Sequence, residues 1–546
     1  MRRWLFWIVC LLGTACAHSE PSPPPGPARI RPLLQVLFDD RFQSSPRELS
    51  PHTQRLPAYQ AEIQEPIKWP RVQKRPALAI THVTVIDVTG GPSRPDMTVF
   101  VEGNRIAEIT PSQGAPTRAG VMVVNGRGKF LIPGLWDMHV HTTVPVLRQP
   151  DEKDLPGVED MLALFVASGV TGVRDMGGWG TYTVDLKRLA NSGHILSPTM
   201  VVGTMVDGPD GMMSVGYIRL ASGPKQARRL VRKIKAEGFD FVKVYSFLPR
   251  NIYRAIVDEC RRNDIPWVGH VPMEIPLAEV AKEGQRSIEH MGDMFSLEIA
   301  CSSRERAVRA LLNAPLEDNT VMGDAMIKVF DLAMKTYDEK KCAALYEQLA
   351  RSHTWQVPTL SVFRMAANLG VYSNVYASER RFLPYYIENF WTKAHFDLNA
   401  HPKPFREMIK RKQQFYSAQV KEMVKAGVHI MTGTDTPMYT LYPGLSLHYE
   451  LEDLVAAGLT PLQALQAATI EPARFLGKEG LQGTIEQNSV ADMVLLRANP
   501  LEDIRNTQEI EAVVLQGHLL TRIQLDQIHE GVARRTEAEL ANPNRR

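Results

Sequence analysis

Eight short apolar runs are spaced along residues 135–435: LWDMHVH, VTGVRDM, PTMVVGT, FDFVKVY, PWVGHVP, RSIEHMG, WQVPTLS and VHIMTGTD. Helix-like stretches lie between them. This alternation is the pattern of βα units, and eight such units close a barrel of parallel strands inside a ring of helices. One intervening stretch, KQARRLVRKIKAEG, ends in Gly238 as a helix terminus does. Roughly sixty residues follow the sixth run and again the seventh, far more than an ordinary βα loop needs. These two insertions are expected as lids and specificity elements. The predicted fold is α/β, a (β/α)8 TIM-like barrel over 133–478.

The flanks have a different texture. Apolar and polar residues alternate in LAITHVTVIDV, MTVFVEGNRIAEI and VMVVNGRGKFLIPG, with Gly103-Asn104 as a hairpin turn. The same texture returns in GTIEQNSVADMVLL and IEAVVLQGHLLTR. Two strand-rich ends around one barrel predict a small β-sandwich domain built jointly from 76–132 and 479–525. Residues 526–546 are expected as a C-terminal tail.

The N-terminus has Arg2 and Arg3, an apolar run over 4–12, then Gly13, Thr14 and Ala15 before Cys16. That is the pattern of a bacterial export signal, and it is too short for a permanent membrane span. Two cleavage routes stay open. Lipoprotein processing removes 1–15 and leaves Cys16 to carry a membrane-anchoring lipid; an ordinary signal peptidase removes 1–17. The shortness of the signal favours the lipid, while Gly13 stands where such signals usually have Leu. Either route predicts an exported protein, periplasmic or anchored by lipid. The stretch PSPPPGP then reads as an extended tether within 18–75, and 31–75 has no assigned role.

Composition excludes other classes. The 63 Lys and Arg nearly balance 60 Asp and Glu, so a net charge of +3 supplies no basic field for nucleic acid. With 44% hydrophobic residues, a large core is available. Beyond the signal only Cys260, Cys301 and Cys342 remain, and their spacing matches no zinc-cysteine motif. Cys260 is expected to be a packed thiol. Cys301 and Cys342 both fall in the first long insertion, where they either form a bridge or remain two buried thiols.

Chemistry gathers at the ends of the strand-like runs. His139 and His141 end the first, and strand alternation puts both imidazoles on one face. Lys243 sits in an apolar strand where an unpaired ammonium is costly. Either a buried carboxylate pairs with it, or it is neutral enough to react with carbon dioxide and form a carbamate. The strand alone does not decide. His270 and His290 close the next two runs, and Asp435 ends the eighth after an apolar stretch.

Taken together, these six residues at the same end of strands one, four, five, six and eight resemble the amidohydrolase superfamily. Within it they are similar to the binuclear, carboxylated-lysine group of imidazolonepropionase-like and prolidase-like enzymes. The resemblance runs from about Ala77 to Arg522. It includes GVTGVRDMGG from Gly169, PGLSLHYELEDLVAAGLTPLQALQAAT from Pro443 and ADMVLLRANPLEDI from Ala491. One departure is Asn488, which stands where Gly is usual and which tolerates a left-handed backbone.

The resemblance implies two divalent metal ions, with zinc suited to the donor set. His139, His141 and Asp435 would bind one ion, His270 and His290 the other, and carboxylated Lys243 would bridge them. It further implies hydrolysis of a peptide or N-acyl amino-acid amide bond by a metal-bridging hydroxide, with Asp435 transferring the proton. Tyr245 shares a strand face with Lys243 and is either an oxyanion-stabilising group or a packed barrel tyrosine. Arg174 is a candidate for binding a substrate carboxylate, or else forms an internal ion pair. His448 is expected to be structural. Partners are limited to a small-molecule or peptide substrate, and a homo-oligomer is compatible. Alternatives are hydrolysis of a cyclic amide, lactone, carbamate or amide-linked xenobiotic and, in another class, an inactive surface-binding lipoprotein.

Overall fold

The computed structural model describes residues 28–29, 77–143, 155–209, 211, 217–316, 322–375, 380–384, 387, 402–438 and 440–541. The export signal, Cys16 and nearly all of the tether lie outside the described residues.

Seven parallel strands follow one another in sequence order around the barrel: Leu135–Val140, Val170–Asp175, Thr199–Asp207, Phe241–Val244, Trp267–Gly269, Ser287–Glu289 and Trp355–Val357. Every residue of the first two is buried, because barrel strands are covered by helices outside and by packed side chains inside. The helix Pro224–Ala236 shows how the cover forms. Its buried Ala227, Val231 and Ile234 share one stripe, and Gly238 at φ 91° turns the chain into the next strand.

The eighth run is present but irregular. Residues 428–436 complete the ring through Met431 N–H to Gln356 O at 2.9 Å on one side, and Met138 N–H to Thr432 O at 2.9 Å and Asp435 N–H to His139 O at 2.7 Å on the other. Only the isolated bridges Gln356–Ile430 and Val140–Thr436 are regular ladder rungs. The physical reason lies in Asp137. Its carboxylate takes the Thr434 N–H at 3.0 Å and the Thr434 hydroxyl at 2.7 Å, drawing that donor out of the ladder.

Both ends of the chain build one further sheet in the order 518–521, 510–515, 493–496, 130–133, 78–85, 94–102, 105–111. Leu131 pairs with Leu495 across its middle. Its core comprises Ile80, Val83, Val99, Leu131, Ile485, Met493 and Val514. Asn488 adopts φ 73° in the turn that leads back into this sheet.

Of the residues expected as a C-terminal tail, 526–541 belong to the helix Arg522–Ala541, whose Leu525, Ile528 and Val532 are buried. It packs on the helix Leu155–Ala167, with Arg535 paired to Asp160. The insertion after the sixth strand carries the helices Ser296–Ala300, Glu305–Leu312, Met322–Lys335 and Glu339–Arg351. Cys301 and Cys342 form a disulfide within it, with a Cα–Cα distance of 4.6 Å. Cys260 is a buried free thiol that burial pushes up to about 12.

Candidate metal centre

The strand ends bring the six sequence-predicted ligand residues together, and all are buried. Nitrogen and oxygen atoms of His139, His141 and Asp435 lie within 4.8 Å of one another. Asp435 Oδ1 is 3.3 Å from His139 Nε2 and 3.2 Å from His141 Nε2, and its Oδ2 is 3.9 Å from His290 Nε2. Lys243 Nζ is 3.3 Å from His139 Nε2. The rings of His139 and His290 are 4.5 Å apart, and those of His270 and His290 5.2 Å. Backbone shape assists this approach. At Gly433 a Cβ would meet the His139 Cβ at 2.8 Å, so only glycine lets the strands carrying His139 and Asp435 come this close.

The four histidines share one tautomer, fixed from outside the cluster. His139 Nδ1–H donates to Glu289 Oε2 at 2.9 Å, and His141 Nδ1–H to the Gly177 carbonyl at 2.7 Å. His270 Nδ1 faces Asp293 Oδ2 at 3.0 Å and Ser246 Oγ at 2.7 Å; the Ser246 hydroxyl itself donates to Asp293. His290 Nδ1–H donates to Thr359 Oγ1 at 2.7 Å, because the Thr359 hydroxyl is directed to Pro358 O. With every Nδ1 proton engaged outward, every Nε2 lone pair points into the cluster. Among the buried polar atoms without a hydrogen-bond partner are His270 Nε2 and Asp435 Oδ1. Inward imidazole lone pairs, a carboxylate and orphaned buried atoms form a donor set that fits divalent cations.

Electrostatics agree with that geometry. Burial lowers both His139 and His290, favouring neutral imidazole. Burial also pulls Lys243 down to about 8, against the opposing pull of Asp435 and Glu289.

Tyr245 is buried and stacks on His270, with ring centroids 4.3 Å apart. Lys243 Nζ lies 5.6 Å from the centre of its ring, as their shared strand face predicts. Burial and then Asp293 raise its phenol well above the usual tyrosine range. His448 is structural: Nε2–H donates to Ser168 O at 3.0 Å, Nδ1 meets Thr507 Oγ1 at 2.9 Å, and burial lowers the ring to about 4.

Of the two roles expected of Arg174, the structure shows the internal ion pair, with Glu289 as its partner. Its side chain is 0% exposed. Nε donates to Met138 O at 2.6 Å, Nη1 to Ser287 Oγ at 2.9 Å, and Nη2 to both oxygens of Glu289 at 2.9 and 3.0 Å.

Sequence reasoning missed the outer partners of the histidines: Glu289, Asp293, Ser246, Gly177 and Thr359. It also missed Asp175, whose carboxylate takes the N–H groups of Thr142 at 3.0 Å and Gly177 at 2.9 Å and so sets the turn around His141. One signal was available, because Glu289 and Asp293 flank His290 in the string IEHMGD.

The sequence profile of the Amidohydrolase family matches residues 130–520. Ochratoxinase from Aspergillus niger is 22% identical over 444 residues, covering 71% of this chain and 74% of its own. Imidazolonepropionase from Acinetobacter baumannii (strain ACICU) is 24% identical over 411 residues, covering 73% of this chain and 87% of its own. Among solved structures, bottromycin amidohydrolase superposes with a TM-score of 0.65 at 20% identity, over 86% of this chain and 94% of that one. A Xaa-Pro dipeptidase with bound methionine in its active site gives a TM-score of 0.57 at 19% identity, over 82% and 100%.

Proposed function

This chain belongs to the amidohydrolase family, and from that premise we propose that it is an exported hydrolase of peptide or N-acyl amino-acid amide bonds. The observation that carries the reading is the common tautomer of four histidines, which aims four Nε2 atoms at one buried space shared with Asp435 and Lys243. His139, His141 and Asp435 would hold one divalent ion and His270 and His290 the second, with Lys243 as a carbamate between them. Zinc suits these donors. Such ions supply Lewis acidity, which acidifies water and polarises a carbonyl.

The protein's own residues do the rest. The Lys243 ammonium first gives up one proton; its amine nitrogen then bonds to the carbon of carbon dioxide and loses a second, so that a cation among imidazoles would become a carbamate anion. Asp435 reaches both halves of the centre, since Oδ1 faces His139 and His141 and Oδ2 faces His290. It is therefore placed to take a proton from the attacking water and deliver it to the departing nitrogen. Tyr245, held on the His270 ring and kept protonated by burial, is the candidate donor to the developing oxyanion. Export rests on the N-terminal sequence pattern, with a lipid on Cys16 as the means of anchoring.

The test is a screen of zinc-reconstituted protein against dipeptides and N-acyl amino acids, with cyclic amides, carbamates and lactones as separate arms. Hydrolysis of the linear amides is expected. Turnover of only a cyclic amide, carbamate or lactone would replace the substrate class, and no turnover by a zinc-loaded protein would sink the hydrolase reading.

A further inference from the structure

The outer partner of His139 differs from those of the other histidines in being gripped on all sides. Glu289 takes His139 Nδ1–H on Oε2, Arg174 Nη2 on both oxygens, and the Ser287 hydroxyl on Oε1. Glu289 and Arg174 are both 0% exposed. Arg174 also holds Met138 O, the carbonyl just before His139. One guanidinium thus ties the backbone of the His139 strand to the carboxylate that orients the His139 ring.

We propose that Arg174 and Glu289 are positioning residues that set the ring orientation and donor strength of His139, and through it the affinity of the His139, His141 and Asp435 site for its ion. The inference rests on the metal-hydrolase reading above. An anionic acceptor on Nδ1 fixes the tautomer and makes Nε2 a better donor. Arg174 has a second effect. It occupies both oxygens of Glu289, so the carboxylate can neither withdraw from His139 nor swing inward as an extra ligand. A pair serving only the fold would instead affect stability and leave metal affinity alone.

Zinc binding, followed by competition with a fluorescent chelator, separates these roles when the melting temperature of each metal-free variant is measured alongside. Glu289→Gln is expected to bind one of two zinc ions roughly 10- to 100-fold more weakly, the usual effect of removing such a partner. The other ion is expected to bind as in the wild type. Arg174→Met leaves a buried carboxylate unpaired, so the double variant Arg174→Met/Glu289→Leu guards against loss of fold, since replacing both charges by apolar groups often restores stability. It should melt near the wild type yet keep the weakened zinc site. Wild-type affinity for both ions in either folded variant overturns the inference and leaves the hydrolase reading standing. A wild-type protein that binds no zinc overturns both.

Discussion

Asp435 Oδ1 stands 3.2 Å from His141 Nε2 while the proton of that ring is committed to Gly177 O on its far side. Carboxylate and imidazole therefore face each other lone pair to lone pair, an arrangement that a cation between them makes favourable. Removing divalent ions with a chelator should abolish amide hydrolysis and lower the melting temperature. Re-addition of zinc should restore both. Full activity in chelator, with metal content verified as near zero, would contradict this.

In the reading proposed above, Lys243 is the one residue of the six that gains a carbon, as a carbamate. Lys243→Ala should lose activity and about one of two bound ions, because the bridging group disappears. A short carboxylic acid added to this variant should restore part of the activity by occupying the vacated bridge. Elemental analysis that finds two ions in Lys243→Ala would remove the carbamate from the mechanism.

Asp435→Asn should lower kcat by roughly 10²- to 10⁴-fold, the usual worth of a positioned proton-transfer group, with a much smaller change in KM. Metal content must be measured on the same sample, since Asp435 would also hold an ion. Unchanged kcat with two ions bound would exclude a role in proton transfer.

A pH effect on stability is expected away from the centre, at His429 and Glu471, whose Nδ1 and Oε2 are 2.7 Å apart. The hydrogen bond from Glu471 raises His429 above its ordinary 6.5. Burial pushes Glu471 up, but His429 and Arg474 outweigh it and hold the carboxyl below its ordinary 4.5. The raised histidine stabilises the fold fully below its unfolded value, and that contribution is lost as pH rises through the folded one. The depressed glutamate contributes above its unfolded value and loses that contribution as pH falls. His429→Gln should therefore cost most between about pH 4.5 and 6.5, on the order of 0.5–1 kcal/mol for a partly exposed pair. Urea midpoints of the two proteins should converge above neutrality; a gap independent of pH would exclude the ion pair as its source.

The bridge between Cys301 and Cys342 closes a loop with a sequence separation of 41. By the chain-entropy model, its loss costs up to about 4 kcal/mol. The double variant Cys301→Ser/Cys342→Ser should melt earlier, and thiol titration of unreduced, unfolded protein produced without residues 1–17, and so without Cys10 and Cys16, should find Cys260 but neither of these two. Two further reactive thiols would show that the bridge does not form in solution.

Much of the centre was legible because its residue types are costly where they stand. A lysine or aspartate in an apolar strand demands a partner, and strand alternation told which histidines share a face. The supporting shell was far less legible. Arg174 and Glu289 meet only because two barrel strands, far apart in sequence, point their side chains into one interior, and no local pattern encodes that meeting. The eighth strand could be recognised by its apolar run, but its broken ladder follows from Asp137 bonding to Thr434, a side-chain contact between opposite ends of the barrel sequence. The terminal helix was missed for another reason: Leu525, Ile528 and Val532 form a narrow stripe among many charges, and its apolar face gains meaning only against the helix Leu155–Ala167.

The sheet that joins both ends of the chain imposes an order of events on synthesis. The strand Phe130–Pro133 emerges early, but its partner Met493–Leu496 is made only after the entire barrel. Until then one edge of the early strands stays open to unwanted pairing, and pairing across so long a loop is slow to form. Closing this seam is therefore a late act of folding, and a nascent chain halted within the barrel would carry half a sheet with nothing to complete it.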